Sequence, residues 1–156
     1  MRIADRGLAL EVPRGWEARI FVPAAPPPAV NLPVMHAASA ALPLARSSFA
    51  TEATPQLGAS GVLIALVEFE SALAGIGLYA ARGAPAGLRA EDLDPAALQV
   101  PHPRQGGVQR FFSDAGRAFC LYLVAGLGPG LDERLARAND VLASLRVDAA
   151  AVERTT

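Results

Sequence analysis

Lysine is absent from this chain of 156 residues, and all 14 of its basic side chains are arginines. Chemistry that needs a lysine amine is thereby excluded, whether a Schiff base or the lysine of a phosphate-binding loop. Cysteine occurs once, so Cys120 has no partner for an intrachain disulfide. It lies in an apolar run beside Phe119 and Leu121, where cysteine acts as a small buried hydrophobe and no cation favours a reactive thiolate. Histidine is nearly as scarce. Neither His36 nor His102 has a His or Cys at ligand spacing, so no metal and no cofactor is expected. Ser47, Ser48, Ser60, Ser113 and Ser144 all lack the Gly-x-Ser-x-Gly setting of a hydrolase nucleophile. Runs of like charge are missing too: 14 basic residues stand against 15 acidic ones. That balance offers neither a nucleic-acid footprint nor a polybasic membrane patch. The apolar run Val62–Val67 is far too short to span a bilayer, and Met1–Leu10 carries no leader pattern, so a cytoplasmic domain without membrane contact is expected.

What is present describes a globular chain. An apolar fraction of 52% with 19% charged residues fits a single packed domain. We assign it to residues 1–148, with 149–156 as a frayed tail. Leu8–Val12 and Glu17–Val22 read as a hairpin turned by Pro13-Arg14-Gly15, with Ala18, Ile20 and Val22 on one face. The four prolines within Pro23–Pro28 favour an extended surface loop. Val34–Ala40 is a further candidate strand, and Ser48–Leu57 a short helix interrupted near Pro55. Val62–Val67 is apolar on both faces, so its strand needs cover on both sides. Gly75–Ala81 reads as another strand, and Arg82–Gly107 as loop with a helical turn at Asp94–Leu98 that Asp94 caps.

The last third is the most regular. Val108–Phe112 and Arg117–Ala125 form a hairpin through Ser113-Asp114-Ala115-Gly116. Ala118, Cys120, Tyr122 and Val124 face one way, and Phe119, Leu121 and Leu123 the other. Leu131, Leu135, Ala138, Leu142 and Leu145 then recur at helical spacing, with Glu133 and Arg137 placed for an i,i+4 pair on the wet face. Arg146-Val147-Asp148 reads as a short closing strand. The fold class expected is α+β: a mostly antiparallel sheet covered by helices on both faces.

The turn Pro13-Arg14-Gly15-Trp16 after a first short strand resembles the opening of the PsbP-like superfamily. The ending resembles it as well, with a hairpin through Asp114-Ala115-Gly116-Arg117 and a helix running into Leu145-Arg146-Val147. This superfamily includes a photosystem II extrinsic subunit and a Ran nucleotide-release factor, and the chain looks most like its members of unassigned function from high-GC Gram-positive bacteria. The resemblance implies an α/β/α sandwich and a tendency to bind partners rather than catalyse. Its motifs are structural and imply no catalytic residue.

Three features could carry chemistry. Gly126-Leu127-Gly128-Pro129-Gly130 follows a strand and opens a helix, where backbone N–H groups can hold a phosphate. Its third glycine comes one residue too early for a dinucleotide fingerprint, and Pro129 removes a donor, which favours a plain connection. Glu68 and Glu70 share a strand face about 7 Å apart, a spacing open to acid–base work or to plain solvation. Trp16, Phe111 and Phe112 are either core or anchors for a partner. The reading is therefore a non-catalytic protein-interaction or adaptor module, with Trp16, Glu68, Glu70, Phe111 and Phe112 as candidate binding residues. The alternative is a small-ligand protein or enzyme with a pocket near Glu68 and Glu70. A protein partner is expected, or self-association through Pro23–Pro28 or the Phe111 strand.

Overall fold

Strands with apolar side chains at every position demand neighbours above and below, and two such strands form the middle of this protein. The computed structural model describes residues 1–24 and 31–149. Its elements are β1 (Arg2–Asp5), β2 (Leu8–Glu11), β3 (Glu17–Phe21), β4 (Val34–Ala38), β5 (Val62–Phe69), β6 (Gln105–Asp114), β7 (Arg117–Gly126), α1 (Leu131–Ser144) and β8 (Arg146–Val147). Five strands form one antiparallel sheet in the order β3-β4-β5-β7-β6, and three form a second in the order β1-β2-β8. Among the described residues no helix is long and apolar enough to cross a membrane.

The alternation read from β7 holds. Phe119, Leu121 and Leu123 join Val62, Ile64 and Leu66 of β5 in one buried cluster, under Leu135, Ala138, Val141 and Leu142 of α1 and Leu8 and Leu10 of β2. Tyr122 and Val124 point the other way, with Leu63 and Ala65, into a second cluster closed by Ala50, Ala53 and Leu57. The first layer above the large sheet is thus one helix plus the small sheet. The second is irregular chain.

That arrangement corrects the expected α/β/α sandwich: among the described residues the protein is mostly β, with a single α-helix and no helical layer on the second face. The physical cause lies in the covering segments. Pro43, Pro55, Gly58 and Pro95 interrupt them, and proline both clashes with the preceding turn and lacks an N–H, so only 3-10 turns such as Thr54–Leu57 and Pro95–Ala97 form there. The N-terminal hairpin is corrected as well. β2 pairs with β1 across a two-residue turn whose Arg6 sits at φ 50°, while β3 joins the other sheet. Pro13–Trp16 does turn the chain, closed by the Trp16 N–H on the Pro13 carbonyl at 3.2 Å, but it carries the chain from one sheet to the other. Gly75–Ala81, expected as a strand, contains the 3-10 turn Gly77–Tyr79, because Gly75 and Gly77 take φ of 79° and 57°. Most of Pro23–Pro28, and residues 150–156 of the expected tail, lie outside the described residues.

The two sheets are joined by a buried ion pair. Arg117, 4% exposed, donates from Nε to Glu68 Oε1 at 2.5 Å. Its Nη1 reaches the carbonyls of Gly7 (3.2 Å) and Asp148 (3.0 Å), and Nη2 that of Arg6 (3.2 Å). One guanidinium thereby ties β7 and β5 of the large sheet to the β1–β2 turn and the residue after β8.

Candidate functional site

The glycine loop before α1 is filled from within. Arg134 donates from Nε to the Ser60 carbonyl (2.8 Å), from Nη1 to that of Gly126 (2.5 Å) and from Nη2 to that of Pro129 (2.9 Å). The N–H groups of its first three residues are committed elsewhere: Gly126 to Gly61, Leu127 to Arg104 and Gly128 to Ala59, each at 2.8 Å. The glycine spacing answers a steric need instead. A Cβ at position 126 would stand 2.2 Å from the Ala59 carbonyl carbon, and one at 128 would stand 2.7 Å from its oxygen.

Glu68 and Glu70 both border a cleft of about 280 Å³ that also includes Ser48 and Val34. They do not act as a pair. Glu68 is 8% exposed and turned onto Arg117, while Glu70 lies one residue beyond β5 and is exposed. Burial pushes the Glu68 carboxyl up, and the hydrogen bond and charge of Arg117 pull it back.

His36 belongs to a polar cluster that the sequence reading passed over. It is fully buried, accepts from Arg19 Nε at Nδ1 (3.1 Å) and lies 2.9 Å from the Ser48 carbonyl at Nε2. Arg19 also holds the carbonyls of Pro43 and Ala45 and pairs with Glu52 at 3.6 Å, while Glu52 accepts from the Ser47 hydroxyl. The spacing of these residues along the chain gives no signal; only the β3–β4 register, which sets Arg19 opposite His36, brings them together. Among the described residues no serine hydroxyl meets His36, since Ser48 reaches it through its carbonyl and the Ser47 hydroxyl binds Glu52. Burial drops the His36 pKa to about 4, so the ring is neutral at pH 7. His102 lies in a loop, accepting from the Arg104 N–H at 3.1 Å. Burial raises the Cys120 pKa, which disfavours the thiolate. Among the described residues no three His, Cys, Asp or Glu side chains gather as a metal site.

The aromatic candidates separate. Phe112 is buried and stacks on Phe119 at 5.3 Å. Phe111, on the opposite face, is half-buried and meets Tyr79 edge-on at 5.5 Å. Trp16 is 8% exposed at the junction of the two sheets, in the same buried cluster as Phe112.

Tyr79 leads to the most distinctive surface. From Ser71 to Ala81 the chain carries no charge. Its backbone is pinned by Ser113, whose hydroxyl accepts from the Gly75 N–H (2.9 Å) and donates to the Tyr79 carbonyl (2.6 Å). Tyr79 is buried between Phe69 (5.9 Å) and Phe111, whereas Leu73, Ile76 and Leu78 on the same loop are 39%, 60% and 68% exposed. Beside them opens a cleft of about 390 Å³ bordered by Gly75, Ser113, Arg82 and Asp114. The β6 edge runs alongside. Its outward groups are capped at Gly107 by Asp94 and at Ser113 by Ala81 and Gly83, but the Phe111 N–H and carbonyl between them make no outward hydrogen bond among the described residues.

No family model, no curated protein and no solved structure matches this chain.

Proposed function

We propose that this domain is a cytoplasmic, non-catalytic protein-interaction module that docks through the loop Ser71–Tyr79. One observation carries the reading: three large apolar side chains are held out in water on a pinned, charge-free loop. A loop serving only to cover Tyr79 has no use for them, and burying each is worth about 1.5–3 kcal/mol. Side chains that project this far fit a concave apolar groove on another protein. Arg82 and Asp114, which make no ion pair among the described residues, suit a polar rim of both signs around it. The lone buried thiol of Cys120 suits a reducing compartment.

A photo-crosslinking residue at position 78 tests the docking role. In native lysate it is expected to give one discrete adduct that disappears in Ile76→Asp and persists in Arg137→Gln. An absence of any discrete adduct, or an adduct indifferent to Ile76→Asp, refutes the reading. If light scattering finds a dimer that Ile76→Asp dissolves, the occupant is a second copy of the chain rather than a different protein.

A further inference from the structure

The irregular chain on the second face of the large sheet is fastened mainly by polar groups. Two tie points bound one stretch of it. At one end the Ser39 N–H donates to the Val62 carbonyl (3.0 Å), and at the other Gln105 Nε2 holds the carbonyls of Thr54 (2.8 Å) and Gly58 (3.1 Å). Residues 40–52, between them, meet the sheet through β3 and β4. Arg19 holds the Pro43 and Ala45 carbonyls and pairs with Glu52, Glu17 accepts from the Leu42 N–H (2.7 Å), and His36 reaches the Ser48 carbonyl. The apolar hold is small, because Ala50 is the one fully buried residue of the stretch. Ala50 is also strained, with φ at 54°. The contacts of His36 fix its tautomer. A guanidinium only donates, so Nδ1, which accepts from Arg19 Nε at 3.1 Å, carries no proton, and Nε2 donates to Ser48. An added proton must therefore go to Nδ1, where it removes the acceptor and sets N–H against N–H. The charges facing the ring are Arg19 from β3 with Arg46 and Glu52 from residues 40–52, and only Glu52 favours a charged ring. The other neighbours are apolar: Ala65 lies opposite on β5, and the Phe21 ring stands edge-on at 5.1 Å. Burial above all, with the two arginines, holds the His36 pKa at about 4, whereas a ring freed into water takes a proton near 6.5.

We propose that residues 40–52 are an acid-released strap, which protonation of His36 frees as a unit from the second face of the large sheet while the sheet itself stays paired. Release uncovers Tyr122, which Phe49 of the strap meets edge-on at 5.8 Å. The strap is separate from the Ser71–Tyr79 loop and does not depend on its role. Amide exchange in the full chain, resolved by NMR and corrected for the intrinsic rate at each pH, tests it. The Leu42, Ser47 and Thr51 N–H groups, bonded to the side chains of Glu17, Glu52 and Ser47, report on the strap. The open strap binds the proton and the closed one excludes it, so their protection is expected to fall about tenfold per pH unit between pH 6.5 and about 4. Dilute urea should leave this exchange unchanged, whereas amides of β5 and β7 exchange more slowly and accelerate with urea. His36→Asn offers an acceptor that does not titrate and should abolish the slope between pH 6.5 and pH 5. Three outcomes overturn the proposal: strap protection that is independent of pH, strap amides that exchange together with those of β7 in one urea-sensitive step, or a His36→Asn protein that keeps the parent's slope. The first two are read on the parent chain, so the test stands even if the variant does not fold.

Discussion

Replacing Arg117 with methionine tests the idea that one guanidinium joins the two sheets. The substitution keeps the length and apolar stem of the side chain but removes its bond to Glu68 and its donors to Arg6, Gly7 and Asp148. The Gly7 carbonyl retains the Asp148 N–H at 2.8 Å, so the main casualty is Glu68, left 8% exposed and without its cation. Removing one partner of a buried pair costs about 3–5 kcal/mol, because the other charge stays desolvated. For a domain of this size that lowers the thermal midpoint by roughly 6–20 °C. The pH dependence has a definite sign. Burial already raises the Glu68 pKa, and Arg117 is what pulls it back. Without Arg117 the folded-state pKa climbs further, so the folded protein holds that proton more tightly than the unfolded chain. Stability from such a group is complete below the unfolded value and is lost as pH rises through the folded one. The deficit of Arg117→Met is therefore largest at neutral and alkaline pH and shrinks in acid. Urea titrations at several pH values measure it. The double variant Glu68→Leu/Arg117→Met should be more stable than Arg117→Met alone, since no charge remains buried. A loss under about 1 kcal/mol at pH 7, or a deficit that grows in acid, defeats the reasoning.

Two further outcomes follow from the same geometry. His36, with its pKa lowered to about 4 by burial, takes up a proton more readily when unfolded. The stability this represents is full above about pH 6.5 and is lost as pH falls toward 4, by at most on the order of 3 kcal/mol. An NMR titration should show its ring resonances constant from pH 8 to pH 5.5. Gly126→Ala forces a Cβ against the Ala59 backbone, which cannot yield as a side chain would, so a loss above about 2 kcal/mol is expected in denaturant titration. If Gly126→Ala is neutral, the close approach does not explain the glycine.

What could be read from residue order was whatever depends on local pattern. The two faces of β7, the stripe of α1 and the Asp94 turn, in which the Asp94 carboxylate accepts from the Ala96 N–H at 2.8 Å, all follow from periodicity and capping chemistry. Cover for both faces of Val62–Val67 was legible for the same reason. The identity of the second cover was not, because an apolar strand demands neighbours without specifying their backbone. The pairing of β2 was illegible for a different reason: Pro13–Trp16 has the composition of a hairpin turn, and only tertiary packing decides whether the flanking strands pair. Candidate sites fared likewise. Phe111 could be placed at the surface only once Tyr79 was seen beneath its edge, and Arg19 with His36 are neighbours across a ladder rather than along the chain.

The small sheet has a consequence for the order of events during synthesis. Leu8 is paired with Val147, so the contact closes a loop of nearly the whole chain, among the slowest kinds of contact to form. A ribosome-bound chain that has just exposed β7 holds Arg117 with Glu68 and the β1–β2 turn already present, yet without the Asp148 carbonyl. In that interval the hydrophobic underside of the large sheet also lacks α1. The nascent protein therefore passes through a stage in which Arg117 and the apolar face that α1 covers both await residues 131–148, and exposed apolar surface at such a stage favours aggregation.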